Sequence, residues 1–487
     1  MKTEGEQTSK ELQELENILS KDRVIKTPDV LKLYSSDWGS FEPDRTPICV
    51  LKPKKVNEIQ KIVEFSIKHN LLVTPCSSGV HFYGRTVPVE GGIVIDLCEM
   101  NRIVKFDARN KNATIEPGVT FSQLEGLNEH GLMPLFPFCI PEEKSVLTSY
   151  LEREPLLVPK LEYYEPILTM EVVLPTGEIL RTGSAALKPS KFAEYVVPFG
   201  PGLNWNQIFQ GAQGTLGIVT STTIKIEHTP KLDKIYFLTS NSLEELIDPL
   251  YEIQRYLLGY ECLILNDLNL AMILASNNSE TEKLRQKLPN WMLITCISGG
   301  VKLPEEKMNQ EEADFLEILG ESKVKPSTTL AGLEKRILPI LRQSYKGEYW
   351  KLRGKGDFQD LLFITTLDKA PEFIRVAGEI SSNLGYPSEE IGCYIQPLVR
   401  GGACHLEFNL FYDPSNDEQR QLVKNTYEKL VESFFDMGAF FSRPYGSFLS
   451  NIAYKGNPVY TRVLKEIKEI FDPNNIMNPD KLCFSRM

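Results

Sequence analysis

The order of apolar patterns along this chain predicts an α+β fold, and three observations carry the prediction. A β-α-β unit lies near the start, where Ile59, Ile62, Val63 and Ile67 recur at helical spacing ahead of two short apolar strands, Leu71–Thr74 and Gly92–Leu97. Two hairpins come next: Ile103–Asp107 with Ala113–Glu116 around a polar turn, and Thr169–Pro175 with Glu178–Thr182 around Thr176-Gly177. After Pro230 the pattern restarts and closes in a β-α-β-β-α-like set, which suits an antiparallel sheet covered by helices.

Taken in order, the chain opens with a charged arm in which Leu12, Leu15, Ile18 and Leu19 keep helical spacing. Thr27 before Pro28 and Asp29 reads as a helix start. The strong helix through Ile59 ends near Asn70. Pro117-Gly118 closes the first hairpin, and Phe121–Leu132 reads as one helix. Residues 145–169 read as irregular. Leu203–Phe209 is helical in pattern and runs into the glycine cluster Gly211-Ala212-Gln213-Gly214-Thr215-Leu216-Gly217, and Ile218–Glu227 is a long β-rich run. Beyond Pro230 come strand Ile235–Thr239, helix Leu243–Leu258, strand Met292–Ser298 and a charged helix around Glu305–Leu319. Residues 320–356 show no clear period. Strand Leu361–Thr366, helix Pro371–Leu384, strands Gly392–Val399 and Cys404–Tyr412, and helix Asp417–Phe435 complete the set. Helix Val459–Phe471 precedes the tail Asp472-Pro473-Asn474-Asn475-Ile476-Met477-Asn478-Pro479. No internal repeat is visible.

Composition narrows the function. With 487 residues the chain has room for two to four domains and an ample core. A net charge of −11 argues against a broad footprint for nucleic acid. No run approaches a membrane span, and the opening MKTEGEQTSKELQE has no signal-type apolar stretch, so the expectation is not an integral membrane protein. The nine cysteines are dispersed without a C-x-x-C pair, which argues against a zinc ribbon or an iron–sulfur cluster. An odd, scattered set reads as reduced thiols in a cytoplasmic protein.

One loop stands out. Pro75-Cys76-Ser77-Ser78-Gly79-Val80-His81-Phe82-Tyr83-Gly84-Arg85 follows a strand, is rich in Gly and Ser, and holds no acidic residue. Small side chains let backbone N–H groups converge on an anion such as a diphosphate. A plain surface loop would share this composition, so at this level both readings stand. No helix pattern follows at once, and G-x-G-x-x-G opening a helix is absent, which sets aside a Walker loop and a Rossmann unit.

Six stretches in fixed order resemble the FAD-linked oxidoreductases of the vanillyl-alcohol oxidase and p-cresol methylhydroxylase type. PCSSGVHFYG resembles the pyrophosphate loop, followed by GGIVIDLCEMNRI and the stretch around Glu116-Pro117-Gly118-Val119. MEVVLPTGEILRTG is close to the phenol-oxidising branch, FGPGLNWNQIFQGAQGTLGIVT to the loop whose backbone contacts the flavin, and FDPNNIMNPDKL to the C-terminal signature. The resemblance implies a split FAD-binding PCMH-type domain of two α+β subdomains, with an inserted cap domain on a helix-covered antiparallel sheet. Its implied bounds are 1–230 (arm about 1–26) and 441–487 for the FAD part, with 231–440 as the cap. FAD contacts are implied at Pro75, Cys76, Ser77, Ser78, Gly79, Val80, His81, Gly84, Thr148, Ser149, Glu152, Gly214, Gly217, Ile218, Val219 and Asn478.

The same resemblance implies a substrate site. In the phenol-oxidising branch two tyrosines and an arginine hold a phenolate, and a carboxylate stands near the reactive flavin nitrogen. Tyr83 matches the first tyrosine, Arg443 the arginine and Glu162 the carboxylate, while Ser442 replaces the second tyrosine and Tyr445 lies two residues beyond Arg443. His405 matches a histidine on a cap strand. Each has a plainer reading: Tyr83 packing over its loop, Glu162 as a solvated charge, Arg443 paired with Asp436, His405 satisfied within its strand. Where relatives tether FAD covalently this chain has Asp360 and Val80, so non-covalent FAD is expected. Cys76 and Cys404 have no base at recognisable spacing and read as packing residues.

The function expected is hydride transfer from a small organic substrate to FAD, with a para-substituted phenol or benzylic alcohol as the leading class. A 2-hydroxy acid of the lactate or glycolate kind is the alternative, since a fixed guanidinium clamps a carboxylate as well as a phenolate; the histidine-rich motif of such enzymes is not visible among the five histidines. A non-catalytic flavin-binding subunit of an electron-transfer complex is the third reading. The expected partners are a small-molecule substrate and a separate electron acceptor: a cytochrome, an electron-transfer flavoprotein, a quinone or oxygen. Homodimer or complex subunit stays open.

Overall fold

The computed structural model describes residues 4–88, 92–158, 166–187, 197–398 and 402–484. Among the described residues, three sheets of more than two strands organise it. The first has the strand order Val24–Ile25, Val50–Leu51, Ile93–Asp96, Val73–Cys76, parallel except for its first pair. Helix Val56–His69 makes the crossover into it and buries Ile59, Ile62 and Val63, and Asn70 ends that helix in the left-handed region. This is the β-α-β unit that the spacing of those residues predicts.

The second sheet has five antiparallel strands, in which Ile218–Lys225 lies between Asn112–Ile115 and Ile167–Val173. The two expected hairpins form its edges. The third sheet has six antiparallel strands in the order Leu232–Ser240, Trp291–Gly299, Cys262–Asn266, Ile391–Leu398, Ala403–Tyr412, Asp357–Thr365. The architecture is therefore α+β, with two α+β sheet units and an antiparallel sheet carrying helices.

The two faces of the six-stranded sheet differ, and this difference makes the site. Along Ala403–Tyr412, Cys404, Leu406, Phe408, Leu410 and Tyr412 pack with helices Ala370–Leu384 and Asp417–Asp436 into one core. Side chains alternate along a strand, so His405, Glu407 and Asn409 form a buried polar row on the opposite face. Cross-strand register adds Asp360 opposite Asn409 and Tyr394 opposite Glu407 to that row.

Several segments differ from the sequence expectation. Residues 145–169, read as irregular, contain helix Val146–Leu151, whose Thr148 N–H is capped by Ser145 Oγ. A turn and a half is too short to show a period. Phe121–Leu132 is not one helix: a capping box of Thr120 and Gln123 starts Phe121–Leu124, a 3-10 stretch Glu125–His130 follows, and Gly131 ends it at positive φ. The strand Cys262–Asn266 and helix Asp267–Leu274 escaped pattern reading because every residue of the strand and nearly all of the helix are buried, which erases alternation. Within 320–356 the structure has helices Ile337–Arg342 and Trp350–Arg353, and Ser447–Lys455 is a further helix.

Candidate active site

A cleft of about 720 Å³ runs from the end of strand Val73–Cys76 to the start of strand Ile218–Lys225. Of the residues expected to hold a cofactor, Pro75, Cys76, Ser77, His81, Thr148, Glu152, Gly214, Gly217, Ile218 and Val219 line it. Arg85, Gln213 and Leu216 line it as well. The N–H groups of Ser77, Ser78, Gly79 and His81 donate to no acceptor among the described residues, and the Ser149 hydroxyl is buried without a partner. Ser77, Ser78 and Ser149 are buried, and buried donors in that condition call for an anion or a polar group to meet them.

Backbone conformation explains the glycines. A Cβ at Gly214 (φ +71°) would sit 2.7 Å from Pro75 Cγ. One at Gly217 (φ +151°) would sit 2.8 Å from Val172 Cγ1 and 2.9 Å from the Val173 carbonyl oxygen. Any larger residue would push the two loops apart or strain the backbone.

Ser78, Gly79, Val80, Gly84, Ser149 and Asn478 do not line the cleft. Ser77 Oγ bonds Thr148 Oγ1, and Ser78 Oγ donates to the Val80 carbonyl at 3.3 Å. Asn478 ties the loops together. Its amide donates to the carbonyls of Gln213 at 2.6 Å and Arg85 at 3.2 Å, and its oxygen accepts from Thr74. Lys481 donates to the Gly84 carbonyl at 2.7 Å, and Lys468 to that of Thr215 at 2.7 Å. The C-terminal tail thus braces both glycine loops from outside.

A second cavity of about 580 Å³ begins at Phe82, next in the chain to His81 of the cleft. Its walls include Phe82, Phe138, Tyr349, Trp350 and Tyr394, and its polar groups include Tyr83, Lys144, Glu154, Lys351, His405, Glu407 and Arg443. Three of the four residues expected to act on substrate therefore meet here: Tyr83, His405 and Arg443. Glu162, the fourth, lies outside the described residues.

The polar groups form one buried chain. The Tyr83 hydroxyl donates to Asp360 Oδ2 at 2.8 Å, and Lys351 Nζ bridges Asp360 Oδ2 at 2.5 Å and Glu407 Oε1 at 2.7 Å. Asn409 donates to Asp360 Oδ1 at 2.6 Å and Glu407 Oε1 at 2.8 Å. His405 Nε2 lies 3.1 Å from Glu407 Oε2, and its Nδ1 lies 3.4 Å from Arg443 Nη2. A guanidinium only donates, so Nδ1 accepts and Nε2 carries the hydrogen toward Glu407. Burial lowers the His405 pKa, which keeps the ring neutral in that tautomer.

Burial raises the carboxyl of Asp360 to about 6, against the pull of Lys351 and with a push from Glu407. Glu407 goes the other way: burial opposes its charge, but Lys351 and His405 outweigh it and hold the carboxyl well below its usual range. Lys144 pairs with Glu154 beside the Phe82 ring, and burial lowers its ammonium to about 8.

Arg443 is 5% exposed and has no carboxylate within ion-pair distance among the described residues; Asp436 is not its partner. Ser442, where the family places a second tyrosine, contributes its carbonyl to Arg153. Tyr445 occupies the neighbourhood instead, stacked on Tyr83 with ring centroids 5.0 Å apart and donating to Glu152 at 2.8 Å. The thiols of Cys76 and Cys404 are buried, and burial raises both. Neither is poised as a nucleophile.

Lys351, Glu407 and the Lys144–Glu154 pair were not expected in this cavity, nor Asp360 as the hydrogen-bond partner of Tyr83 and Lys351. The alternation in Cys404–Tyr412, with His405, Glu407 and Asn409 on one face, was the signal that could have found Glu407. Lys351 sits on the four-residue helix Trp350–Arg353, too short to carry one.

A cleft between two glycine-bearing loops with unpaired backbone donors, near a buried polar cavity, suits a redox enzyme with a large anionic cofactor such as FAD. The sequence matches a family model described as FAD binding domain over residues 47–146 and one described as FAD linked oxidases, C-terminal domain, over 367–482. These two matches, in separate parts of the chain, mark an FAD-linked oxidoreductase. It is similar to D-lactate dehydrogenase of Anaerostipes hadrus, at 23% identity over 95% of each chain. It is also similar to the flavoprotein subunit of 4-cresol dehydrogenase (hydroxylating) of Pseudomonas putida, at 22% identity over 98% of this chain and 96% of that one. Among solved structures, p-cresol methylhydroxylase with substrate bound shares the fold, with a TM-score of 0.81, 19% identity, and coverage of 99% of this chain and 98% of that chain. Among the described residues no helix is long and apolar enough to cross a membrane.

Proposed function

We propose that the enzyme oxidises a small aromatic substrate bearing a hydroxyl group, of the para-substituted phenol or benzylic alcohol class, in the cavity around Arg443. One observation carries this reading: a buried guanidinium without a carboxylate partner among the described residues faces a cavity walled by aromatic rings. A buried cation of that kind gains most from an anionic ligand, and the rings of Phe82, Phe138, Tyr349 and Tyr394 suit a flat apolar body. FAD supplies the two-electron acceptor. The protein orients the C–H bond to be broken, excludes water and holds the oxyanion. The similarity to the 4-cresol dehydrogenase subunit supports the same class.

A 2-hydroxy acid is the second reading, because Arg443 would hold a carboxylate through the same fork geometry. Its support is the similarity to D-lactate dehydrogenase. Anaerobic mixing with a panel of both classes separates the two. Bleaching of the flavin by p-alkylphenols but not by D-lactate is the expected result, and the reverse would replace the first reading by the second.

We further infer that FAD is bound without a covalent tether. Val80 and Asp360 occupy the positions where relatives attach it, and Asp360 is committed to Lys351, Tyr83 and Asn409. Acid precipitation should leave a colourless pellet; a yellow one would refute this. The division at about residues 230 and 440 is likewise our reading, supported by the six-stranded sheet running from Leu232 to Tyr412. The electron acceptor is taken to be a separate molecule.

A further inference from the structure

Tyr83 and Arg443 line two cavities at once. The inner one is the aromatic-walled site described above. The outer one, of about 980 Å³, lies between Gly39–Glu42, Lys424 and Glu428 of helix Asp417–Asp436, and the start of helix Ser447–Lys455. Asp360 lines only the outer cavity, while its hydrogen-bond partner Tyr83 lines both. The Tyr83–Asp360 pair therefore spans the wall between the substrate site and a cavity bordered by exposed residues.

We propose that this pair is a proton exit from the inner cavity: the substrate hydroxyl gives its proton to the Tyr83 oxygen as the Tyr83 proton passes to Asp360, whose buried carboxyl lies outside that cavity. The inference rests on the inner cavity being the substrate site. In the step the substrate O–H bond breaks and a Tyr83 O–H bond forms. The original Tyr83 O–H bond breaks and an Asp360 Oδ2–H bond forms. No electrons change owner, and one negative charge moves from Asp360 to the substrate oxygen.

Charge pairing favours that direction. Before the step Lys351 faces two carboxylates, Asp360 and Glu407, and Arg443 faces none within ion-pair distance among the described residues. Afterwards Lys351 keeps Glu407, and Arg443 gains the substrate oxyanion. Each buried cation then has one anion, an arrangement that counts heavily where the local dielectric is low.

The competing acceptor is excluded by its hydrogen bonds. His405 has its one lone pair on Nδ1, turned to Arg443, and its N–H is given to Glu407. Glu407 is held in its charged form by Lys351 and His405. The groups facing Asp360 are Lys351 from helix Trp350–Arg353, Glu407 and Asn409 from strand Ala403–Tyr412, Tyr83 from the cradle loop, Tyr349, and Tyr427 from helix Asp417–Asp436. With a carboxyl raised to about 6, mainly by burial, Asp360 takes a proton near neutrality and returns it readily.

The test is anaerobic flavin reduction by a p-alkylphenol as a function of pH, in the FAD-loaded wild type, Asp360→Asn and Tyr83→Phe. Asp360 must be ionised to accept, so wild-type reduction should slow as pH falls through about 6. Asp360→Asn should be slower by about a hundredfold and lose that acid limb, and Tyr83→Phe should match it. Dissociation constants for a non-oxidisable p-halophenol should stay within a few-fold in both variants, which a collapsed site would not allow. Infrared pH-difference spectra supply a readout without turnover: a buried carboxyl band should gain intensity below pH 6 in wild type and vanish in Asp360→Asn. Wild-type rates and an unchanged acid limb in Asp360→Asn overturn the exit, as does a carboxyl band that survives the substitution. A wild-type flavin that no phenol reduces rejects the substrate reading itself, and the exit with it.

Discussion

The proposed FAD cradle and the proposed substrate cavity are lined by different residues and built from different materials. The cradle is made of backbone: N–H groups of Ser77, Ser78, Gly79 and His81 with no acceptor among the described residues, glycines at positions a Cβ would fill, and carbonyls braced by Asn478, Lys468 and Lys481. The cavity is lined by charged side chains, Lys351, Glu407, Arg443 and the Lys144–Glu154 pair, backed by Asp360 and contributed by segments far apart in the chain. Backbone recognition tolerates little change of shape. Buried charge tolerates little change of balance. Substitutions in the two regions should therefore fail in different ways.

The largest effect on stability should come from the cavity. Lys351→Met leaves Asp360 and Glu407 as adjacent buried carboxylates without their shared cation, and breaking such a pair costs about 3–5 kcal/mol. Denaturant unfolding should report that loss, and adding Asp360→Asn and Glu407→Gln should recover much of it. A change below 1 kcal/mol would mean that the network contributes little to the fold.

In the cradle, Gly214→Ala should cost about 1–3 kcal/mol, because the new methyl meets Pro75 and the residue keeps a positive φ. The diagnostic is selectivity. FAD affinity should fall while the inner cavity still binds a p-halophenol in protein reconstituted at excess FAD. Equal loss of both would show that the two regions are not separable.

Asn478→Ala tests the brace between them. Losing its amide bonds to Gln213 and Arg85 should cost about 1–3 kcal/mol and loosen FAD binding, with salt sensitivity unchanged because no charge is removed. The smallest effect should come from outside both regions. Asn457 caps helix Pro458–Phe471 by accepting from the Tyr460 N–H, so Asn457→Ala should lower stability by about 1 kcal/mol and leave flavin content and reduction rates as they are.

The same contrast explains what was legible in the sequence. The cradle was readable because backbone recognition needs contiguous small residues, and Pro75 to Arg85 and Gly211 to Val219 advertise them directly. Asn478 was found as part of the tail signature, although it braces the loops rather than lining the cleft. The cavity was readable only where the resemblance supplied single residues, Tyr83, His405 and Arg443. Lys351 and Glu407 come from segments with no motif of their own, and their meeting depends on the pairing of strands Asp357–Thr365 and Ala403–Tyr412. Asp360 was noticed as a position without a tether, but its partnership with Tyr83 spans 277 residues and no local pattern encodes it. In the fold, elements with a clear period were placed well. Fully buried or very short ones, such as Cys262–Asn266 and Val146–Leu151, had no period to read.

The central claim is that Arg443 holds the substrate's anionic oxygen while the cradle holds FAD independently of it. Anaerobic stopped-flow reduction of Arg443→Ala by a p-alkylphenol, beside its flavin content, tests this directly. Removing one buried donor to a developing oxyanion should slow reduction by about 10²–10³-fold. Bound FAD per chain should equal that of the wild type. Reduction at the wild-type rate, or loss of FAD in step with activity, would contradict the claim.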